Sequence, residues 1–417
     1  MQYGLIGEKL SHSFSKEIHE SLADYKYELC EIARDSLSSF LQNRDFCAIN
    51  VTIPYKKEVI PYLDEISDAA NELQSVNCIV NRDGKLCGYN TDYFGMKDLI
   101  NRANIDISNK KILILGTGGT ARTSYLVCKD LGATDVTLVS RTKKDNSITY
   151  DEAYSLHTNA EIIINATPVG MFPNSYNSPL DLSKFSNLCS VFDAVYNPIC
   201  TKIVLDAKRK NIHAESGLYM LVSQAVHAIE LFLNTKLENS KIDEIYQKIL
   251  TEKENIVLVG MPSSGKTTVG KIIADSLNRT FIDLDDEIEK HIGCTIADFF
   301  KSHTEKEFRD IETQITKENS KKTGIVIATG GGCILREENI DALRSNGKIY
   351  FLDRDIDNLT PTDSRPLATK KEAIQKLYND RYQIYLDTCD VKINGNLSPS
   401  EEANIIRKEF LNENIGY

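Results

Sequence analysis

Three clusters in the 417-residue sequence have the residue types and spacing of nucleotide chemistry. Gly260-Met-Pro-Ser-Ser-Gly265-Lys266-Thr267 satisfies G-x-x-x-x-G-K-[ST]. In that pattern backbone N–H groups cradle phosphates, the lysine neutralises them and the following hydroxyl binds Mg²⁺. Gly260, Ser263, Gly265, Lys266, Thr267 and Thr268 are therefore the candidates for holding ATP, with Thr267 also a metal ligand. Gly116-Thr-Gly118-Gly119-Thr120-Ala121 matches G-x-G-x-x-A, in which small residues let the backbone close on a pyrophosphate at a helix N-terminus. A tight strand-to-helix turn could carry the same letters, but a second strand follows at the distance a dinucleotide site needs. At the end of that strand an NAD site places a carboxylate for the ribose hydroxyls. This chain has Ser140-Arg141-Thr142-Lys143-Lys144 instead. Donors and cations there suit a 2′-phosphate, so Ser140, Arg141, Thr142 and Lys144 point to NADP.

Such loops must be aimed by strands and helices, and strand-like runs alternate with helical ones along the whole chain. Ile112–Leu115, Val136–Val139, Glu161–Ile164 and Val191–Val195 read as buried parallel strands, with an amphipathic helix over 121–131. A second series reads Asn255–Val259, Phe281–Leu284, Ile325–Ala328 and Lys348–Leu352. The fold class is α/β. The polar stretch 241–254 reads as the seam between two halves, and the first half divides again near residue 100.

Composition narrows the partners. Lys+Arg 49 against Asp+Glu 60 gives a net charge of −11, which excludes broad nucleic-acid binding through a basic face. No apolar run approaches the ~20 residues of a membrane span. The opening Met1–Gly7 reads as a strand entering a glycine turn, not a signal peptide, and suggests the cytoplasm. The 10 cysteines are scattered singly and are expected to be mostly small buried thiols. Small molecules are the expected partners, with no nucleic acid and no membrane, and no oligomeric partner is defined.

Over residues 1–235 the motifs resemble those of shikimate dehydrogenase. Ser11-His-Ser13-Phe-Ser15 is similar to its paired-serine motif, which implies that Ser13 and Ser15 hold the substrate carboxylate. Asn50-Val-Thr52-Ile-Pro-Tyr-Lys56 and Gly88-Tyr-Asn90-Thr91-Asp92 match the segments carrying its catalytic lysine and aspartate, and Asn77 its substrate-binding asparagine. Asn165-Ala-Thr167-Pro-Val-Gly170-Met171 resembles the loop near the nicotinamide, so Thr167 is read as a cofactor contact. Tyr196, Gly217, Met220 and Gln224 fall in motifs that complete the substrate and cofactor pockets. The chemistry fits: ketone reduction puts hydride on carbon and a proton on oxygen, and Lys56 can donate the proton if Asp92 orients it. Hydroxyls and amides of Thr52, Asn77, Asn90 and Gln224 suit a polyhydroxylated ring. His12 and His19 are read as structural.

Residues 255–412 resemble shikimate kinase. Phe281-Ile-Asp283-Leu-Asp285, Glu305-Lys-Glu-Phe308-Arg309-Asp-Ile-Glu312, Ala328-Thr-Gly330-Gly331-Gly332 and the lid Ser364-Arg365-Pro366-Leu367 match its motifs, with Arg381 and Tyr385 on the helix after the lid. The resemblance implies that Asp285 accepts the ring hydroxyl's proton and Asp283 helps hold Mg²⁺. It also implies that Arg309 and Arg381 clamp a carboxylate, Gly330–Gly332 approach the ring, and Arg365 stabilises the transferring phosphoryl group. The lid approach 357–364 is short and acidic and lacks a further arginine common in the family.

The resulting expectation is a shikimate-binding lobe over 1–100, with helices in 217–240 packing back on it. A Rossmann NADP lobe over 101–240, a linker over 241–254 and a P-loop domain of the nucleoside-monophosphate-kinase type over 255–417 follow. It implies a bifunctional enzyme of the route to chorismate and aromatic amino acids, using NADP(H), ATP and Mg²⁺ on 3-dehydroshikimate and shikimate. The alternative is a quinate/shikimate-type dehydrogenase fused to a kinase half that binds ligand but turns over poorly.

Overall fold

A computed structural model describes residues 1–10, 14–144, 146–238, 240–360 and 370–412. The chain divides into two compact units, Met1–Asn197 with Thr201–Gln247, and Pro198–Cys200 with Lys248–Tyr417.

The first unit holds two sheets. Strands β1 (Tyr3–Gly7), β2 (Tyr27–Glu31), β3 (Ala48–Val51), β4 (Glu65–Ile66), β5 (Cys78–Arg82) and β6 (Lys85–Tyr89) form one, in the order β2-β1-β3-β5-β6-β4. It is mixed: β1 runs parallel to β2 and β3, while β5 is antiparallel to β3 and β6. Strands β7 (Lys111–Leu115), β8 (Asp135–Ser140), β9 (Ser147–Thr149), β10 (Ile162–Asn165), β11 (Ser190–Asp193) and β12 (His213–Glu215) form the other, in the order β12-β11-β10-β7-β8-β9. Every pairing in this second sheet is parallel. Ile112–Leu115 and Ile162–Ile164 are wholly buried because helices cover both faces of such a sheet, and continuous apolar runs are its sequence sign. The chain leaves β7 towards β8 on one side and returns to β10 on the other. The crevice between the carboxyl ends of β7 and β10 is thus the switch point at which doubly wound sheets bind ligands.

In the second unit, β13 (Asn255–Val259), β14 (Phe281–Asp283), β15 (Val326–Ala328), β16 (Gly347–Asp353) and β17 (Val391–Asn394) form an all-parallel sheet in the order β14-β15-β13-β16-β17. Val257, Val259, Ile327 and Phe351 feed the core on one face, and Ile256, Leu258, Val326 and Tyr350 the core on the other.

The 241–254 stretch lies almost wholly in a helix, Ser240–Lys253, whose Ile242, Ile245 and Ile249 are buried, an apolar face at helical spacing. One expectation changes. The cysteines are not mostly buried: Cys78, Cys87, Cys128 and Cys333 are, but Cys47, Cys189 and Cys294 are exposed and the other three are half-buried. Composition reports how often thiols are buried, not which side of a strand or helix each one takes. Among the described residues no helix is long and apolar enough to cross a membrane.

Candidate active sites

The pocket of the first unit lies between the carboxyl ends of its two sheets, a cavity of about 220 Å³. Ser15, Thr52, Lys56, Asn77, Asp92, Tyr196, Gly217, Met220 and Gln224 line it, together with Leu5, Asn50, Val51, Ala194 and Leu221. The helix Thr91–Arg102 delivers Asp92 in its first turn, where a carboxylate also complements the exposed N–H groups. Lys56 Nζ stands 2.6 Å from Asp92 Oδ2, with both side chains about a quarter exposed. The other oxygen, Asp92 Oδ1, accepts from Asn77 Nδ2 at 2.9 Å, while Asn77 Oδ1 accepts from the Thr91 N–H at 2.7 Å. Asn77 therefore locks the aspartate's rotamer and leaves Lys56 as the group facing the cavity. Thr91 Oγ1 lies 3.3 Å from Gln224 Oε1, tying in the Leu218–Leu233 helix. Phe14 packs edge-on against Tyr196, ring centroids 5.8 Å apart, which keeps the start of the Ser15–Leu22 helix at the rim.

Asn90 is not brought to this wall. Its carboxamide is buried as the N-cap of the Thr91–Arg102 helix, accepting from the Tyr93 N–H and donating to Ser75 O at 2.9 Å. Ser13 lies outside the described residues. His19 is buried, 2.7 Å from the Tyr25 hydroxyl and stacked on Tyr27; burial lowers its pKa to about 3, so it is a neutral packing residue.

The glycine loop follows β7. Gly116 has φ +112°, and a Cβ there would come 3.1 Å from Ala166 O of the loop after β10, so only glycine lets the two loops meet at the switch point. A Cβ on Gly118 or Gly119 would meet nothing within 4 Å, which leaves the backbone at the start of the Gly119–Asp130 helix open to a phosphate. Thr120 is half-buried on the first turn and Ala121 is buried beneath it. Arg141, Thr142 and Lys144 are exposed after β8, but Ser140 is buried with its hydroxyl 3.0 Å from Ser147 Oγ, internal to the fold. Thr167 Oγ1 donates to Asn165 Oδ1 at 2.7 Å, which fixes the loop after β10. These residues fit a dinucleotide with a 2′-phosphate.

The pocket of the second unit is a cavity of about 270 Å³. Lys266, Thr267, Asp283, Asp285, Arg309, Gly330, Gly331, Gly332 and Arg381 line it, as do Phe308 and Glu312 of the Arg309 motif, with Asp286, Glu289, Phe300 and Leu377 among the residues not anticipated. Gly260 (φ +152°), Ser263 (φ +67°) and Gly265 (φ +95°) shape the loop before the Lys266–Leu277 helix, and Thr268 is exposed in its first turn. Lys266 Nζ donates to Gly260 O and Met261 O at 2.9 Å each, which holds its charge inside the loop. Asp283 caps the Leu284–Ile292 helix with one oxygen and with the other accepts from Thr267 Oγ1 at 2.7 Å. A hydroxyl and a carboxylate side by side at a phosphate loop suit Mg²⁺, which keeps water and phosphate as its remaining ligands. Among the described residues no cluster of three His, Cys, Asp or Glu could hold a metal alone.

A capping box of Thr304 and Glu307 starts the Glu305–Asn319 helix that carries Arg309. Arg309 pairs with Glu312 at 2.7 Å and Glu305 at 3.1 Å, and its buried Nε has no hydrogen-bond partner among the described residues. Burial pushes the Glu312 carboxyl upwards, outweighing the Arg309 guanidinium beside it. Arg381 Nη1 donates to Gly331 O at 3.0 Å, and the buried Tyr385 hydroxyl to Gly260 O at 3.0 Å. A Cβ on Gly330 would sit 2.6 Å from Asp285 Oδ1, and one on Gly332 would collide with the Arg309 guanidinium. The glycine turn is therefore what lets Asp285 and Arg309 converge. Arg365 lies outside the described residues.

Residues 5–79 match the family model for the shikimate dehydrogenase substrate binding domain, and residues 262–411 the model for shikimate kinase. The chain is 39% identical over 259 residues to the shikimate dehydrogenase (NADP(+)) of Clostridium beijerinckii, covering 58% of this chain and 96% of the relative. It resembles the chorismate mutase/shikimate 5-dehydrogenase fusion protein from Clostridium acetobutylicum with TM-score 0.56 at 34% identity, covering 59% of this chain and 96% of that one. The shikimate 5-dehydrogenase from Thermus thermophilus in complex with NADP(H) and shikimate gives TM-score 0.53 at 26% identity, covering 60% and 99%.

Proposed function

We propose that this chain, which belongs to the shikimate dehydrogenase family and carries a shikimate kinase domain after it, catalyses two consecutive steps. The first reduces 3-dehydroshikimate to shikimate with NADPH, and the second transfers the γ-phosphoryl group of ATP to the 3-hydroxyl of shikimate. The observation that carries the reading is the Lys56–Asp92 pair, 2.6 Å apart on a wall otherwise made of hydroxyls, amides and apolar groups.

NADPH supplies the hydride. As the pair of electrons reaches the ketone carbon, the carbonyl oxygen becomes basic and takes the proton held at Lys56 Nζ. Asp92 keeps that ammonium aimed, and Asn77 keeps Asp92 aimed. Thr52, Asn77, Tyr196 and Gln224 bind the ring hydroxyls, and Ser13 and Ser15 the carboxylate. Arg141, Thr142 and Lys144 hold the 2′-phosphate, with Ser140 supporting their turn from inside.

In the second pocket Thr267 and Asp283 would hold Mg²⁺, which would supply positive charge against the phosphates. Asp285 accepts the proton of the attacking hydroxyl, Arg309 and Arg381 clamp the ring carboxylate, and Lys266 and Arg365 hold the transferring group.

A coupled assay with 3-dehydroshikimate, NADPH and MgATP tests this. NADPH is consumed first and ADP follows. Lys56→Ala abolishes the first signal but leaves ADP formation from added shikimate, and Lys266→Ala does the reverse. Loss of both activities in either variant, or faster NADP⁺ reduction with quinate than with shikimate, would overturn the assignment.

A further inference from the structure

Behind the first pocket, on the helices that carry Asp92 and Gln224, lies a cluster of ionisable groups that the reaction does not use. His227 on the Leu218–Leu233 helix has Nε2 2.8 Å from Asp98 Oδ2 and Nδ1 3.1 Å from Glu230 Oε2. Ser223 Oγ donates to the same Asp98 oxygen at 2.5 Å. Glu230 is buried and also accepts from Lys236 Nζ at 3.0 Å and the Leu237 N–H at 2.9 Å. A neutral imidazole has one N–H and one lone pair, so it can satisfy only one of two carboxylates and must repel the other. Both carboxylates are acceptors. Two short contacts therefore define an imidazolium that donates from both nitrogens.

The Asp98 contact crosses between helices. Asp98 belongs to the Thr91–Arg102 helix, which begins with Thr91 and Asp92; Ser223 and His227 flank Gln224 on the other helix. The two backbones meet closely at Gly95, where a Cβ would fall 2.6 Å from Met220 O and 3.1 Å from Gln224 Cβ. At the pocket end Thr91 Oγ1 approaches Gln224 Oε1 at 3.3 Å. A charge-assisted clasp at the far end fixes how one helix slides on the other, and with it the spacing of Asp92 and Gln224.

We propose that His227, as an imidazolium bridging Asp98 and Glu230, is a positioning residue for the dehydrogenase substrate pocket, so that substrate binding weakens when it loses its proton. The proposal rests on the dehydrogenase reading above. Burial alone would lower the His227 pKa, but the hydrogen bonds and charges of Asp98 and Glu230 outweigh it and raise it above 6.5. Phe94 lies against the ring at 5.0 Å and carries no charge. The Ser15–Leu22 helix, also packed on this helix, brings His19 against Phe232, and burial keeps that imidazole neutral. A group with a raised folded pKa stabilises fully below its unfolded pKa, and that contribution fades as pH rises through the folded value. The clasp thus holds fully below pH 6.5 and opens as pH rises through the raised folded value.

The test uses the full chain, comparing His227→Gln, His227→Arg and wild type. In His227→Gln, KM for shikimate in NADP⁺ reduction rises roughly 3- to 10-fold at pH 6 with kcat little changed, and KM loses the rise with pH seen in wild type. His227→Arg, with two donors and a permanent charge, restores low KM and keeps it low at alkaline pH. Kinase KM for shikimate stays unchanged in both, which separates the effect from general unfolding. NMR titration of the His227 ring reads the clasp without any substrate. A ring pKa at or below 6.5, or a His227→Gln variant that keeps the wild-type KM and its pH dependence, overturns the proposal. Absence of shikimate oxidation in wild type with a raised ring pKa would instead overturn the dehydrogenase reading and leave the clasp standing.

Discussion

The two pockets face the same ring carboxylate in the proposed function and are built from opposite materials. In the first unit one ion pair, Lys56–Asp92, about a quarter exposed, sits in a wall of neutral hydroxyls, amides and apolar groups. In the second, two buried guanidiniums, a buried ammonium and a crowd of carboxylates surround the cavity. The difference follows from the chemistry each must do. Hydride transfer needs one proton delivered to one oxygen, and stray charge near the carbonyl would compete for it. Phosphoryl transfer gathers several negative charges in one place and needs fixed cations to stabilise them. The acidic chain thus concentrates positive charge where an anion must dwell.

The comparison is most sharply tested by removing the one indispensable cation from each side. Lys56→Ala should lower dehydrogenase kcat by roughly 10²–10⁴, the range for losing a general acid. Lys266→Ala should lower kinase kcat by at least ~10². Steady-state kinetics of both activities on each variant would show single, non-overlapping losses if the pockets work independently.

A smaller effect probes the packing that lets charges converge. Gly330→Ala puts a methyl group 2.6 Å from Asp285 Oδ1 and 3.1 Å from Glu312 Oε1. Overpacking of this kind costs about 1–3 kcal/mol. The kinase should lose roughly 10- to 100-fold in kcat/KM for shikimate, with dehydrogenase kinetics untouched. Arg309→Lys keeps the charge but loses the planar fork that serves Glu312 and Glu305 together. It should raise kinase KM for shikimate roughly 10-fold with little change in KM for ATP.

Much of this contrast was legible in the sequence, because phosphate loops and strand ends are local features. Gly116, Gly260 and Gly265 have positive φ, and the strands expected before these loops are present within a residue or two. Side-chain allegiance was less legible. The carboxamide of Asn90 can bind a ring hydroxyl or cap a helix, and the orphan N–H of Tyr93 decides for the cap. The Ser140 hydroxyl has the same choice, and the approach of Ser147 decides it inward. Phe300 and Leu377 reach the second cavity from two separate segments, and no spacing in the sequence announces that. Glu312 was visible as a motif letter, but its pairing with Arg309 needs the helix turn that brings i and i+3 together.

The contrast also extends below the walls. Beneath Ala194 in the first unit, Asp193 is fully buried, its Oδ1 accepting from Asn165 Nδ2 and the Val195 N–H at 2.9 Å each and its Oδ2 meeting the Thr201 hydroxyl. Burial raises its pKa to about 7 against the pull of those hydrogen bonds, with no cation among the described residues offsetting it, whereas buried Glu312 has Arg309 at 2.7 Å. A carboxyl raised from 3.8 to about 7 favours folding most below the lower value, and that advantage is lost as pH rises to the upper one. The loss is on the order of 4 kcal/mol. Asp193→Asn imitates the protonated acid: Asn165 and Val195 still donate to an oxygen, and the Thr201 hydroxyl turns to accept from the new amide. Thermal melts of wild type should show the first unit losing roughly 10 °C between pH 5 and pH 8 relative to the variant, whose own curve lacks this component. Parallel curves would mean that Asp193 is ionised throughout and that its hydrogen bonds outweigh the cost of burying its charge.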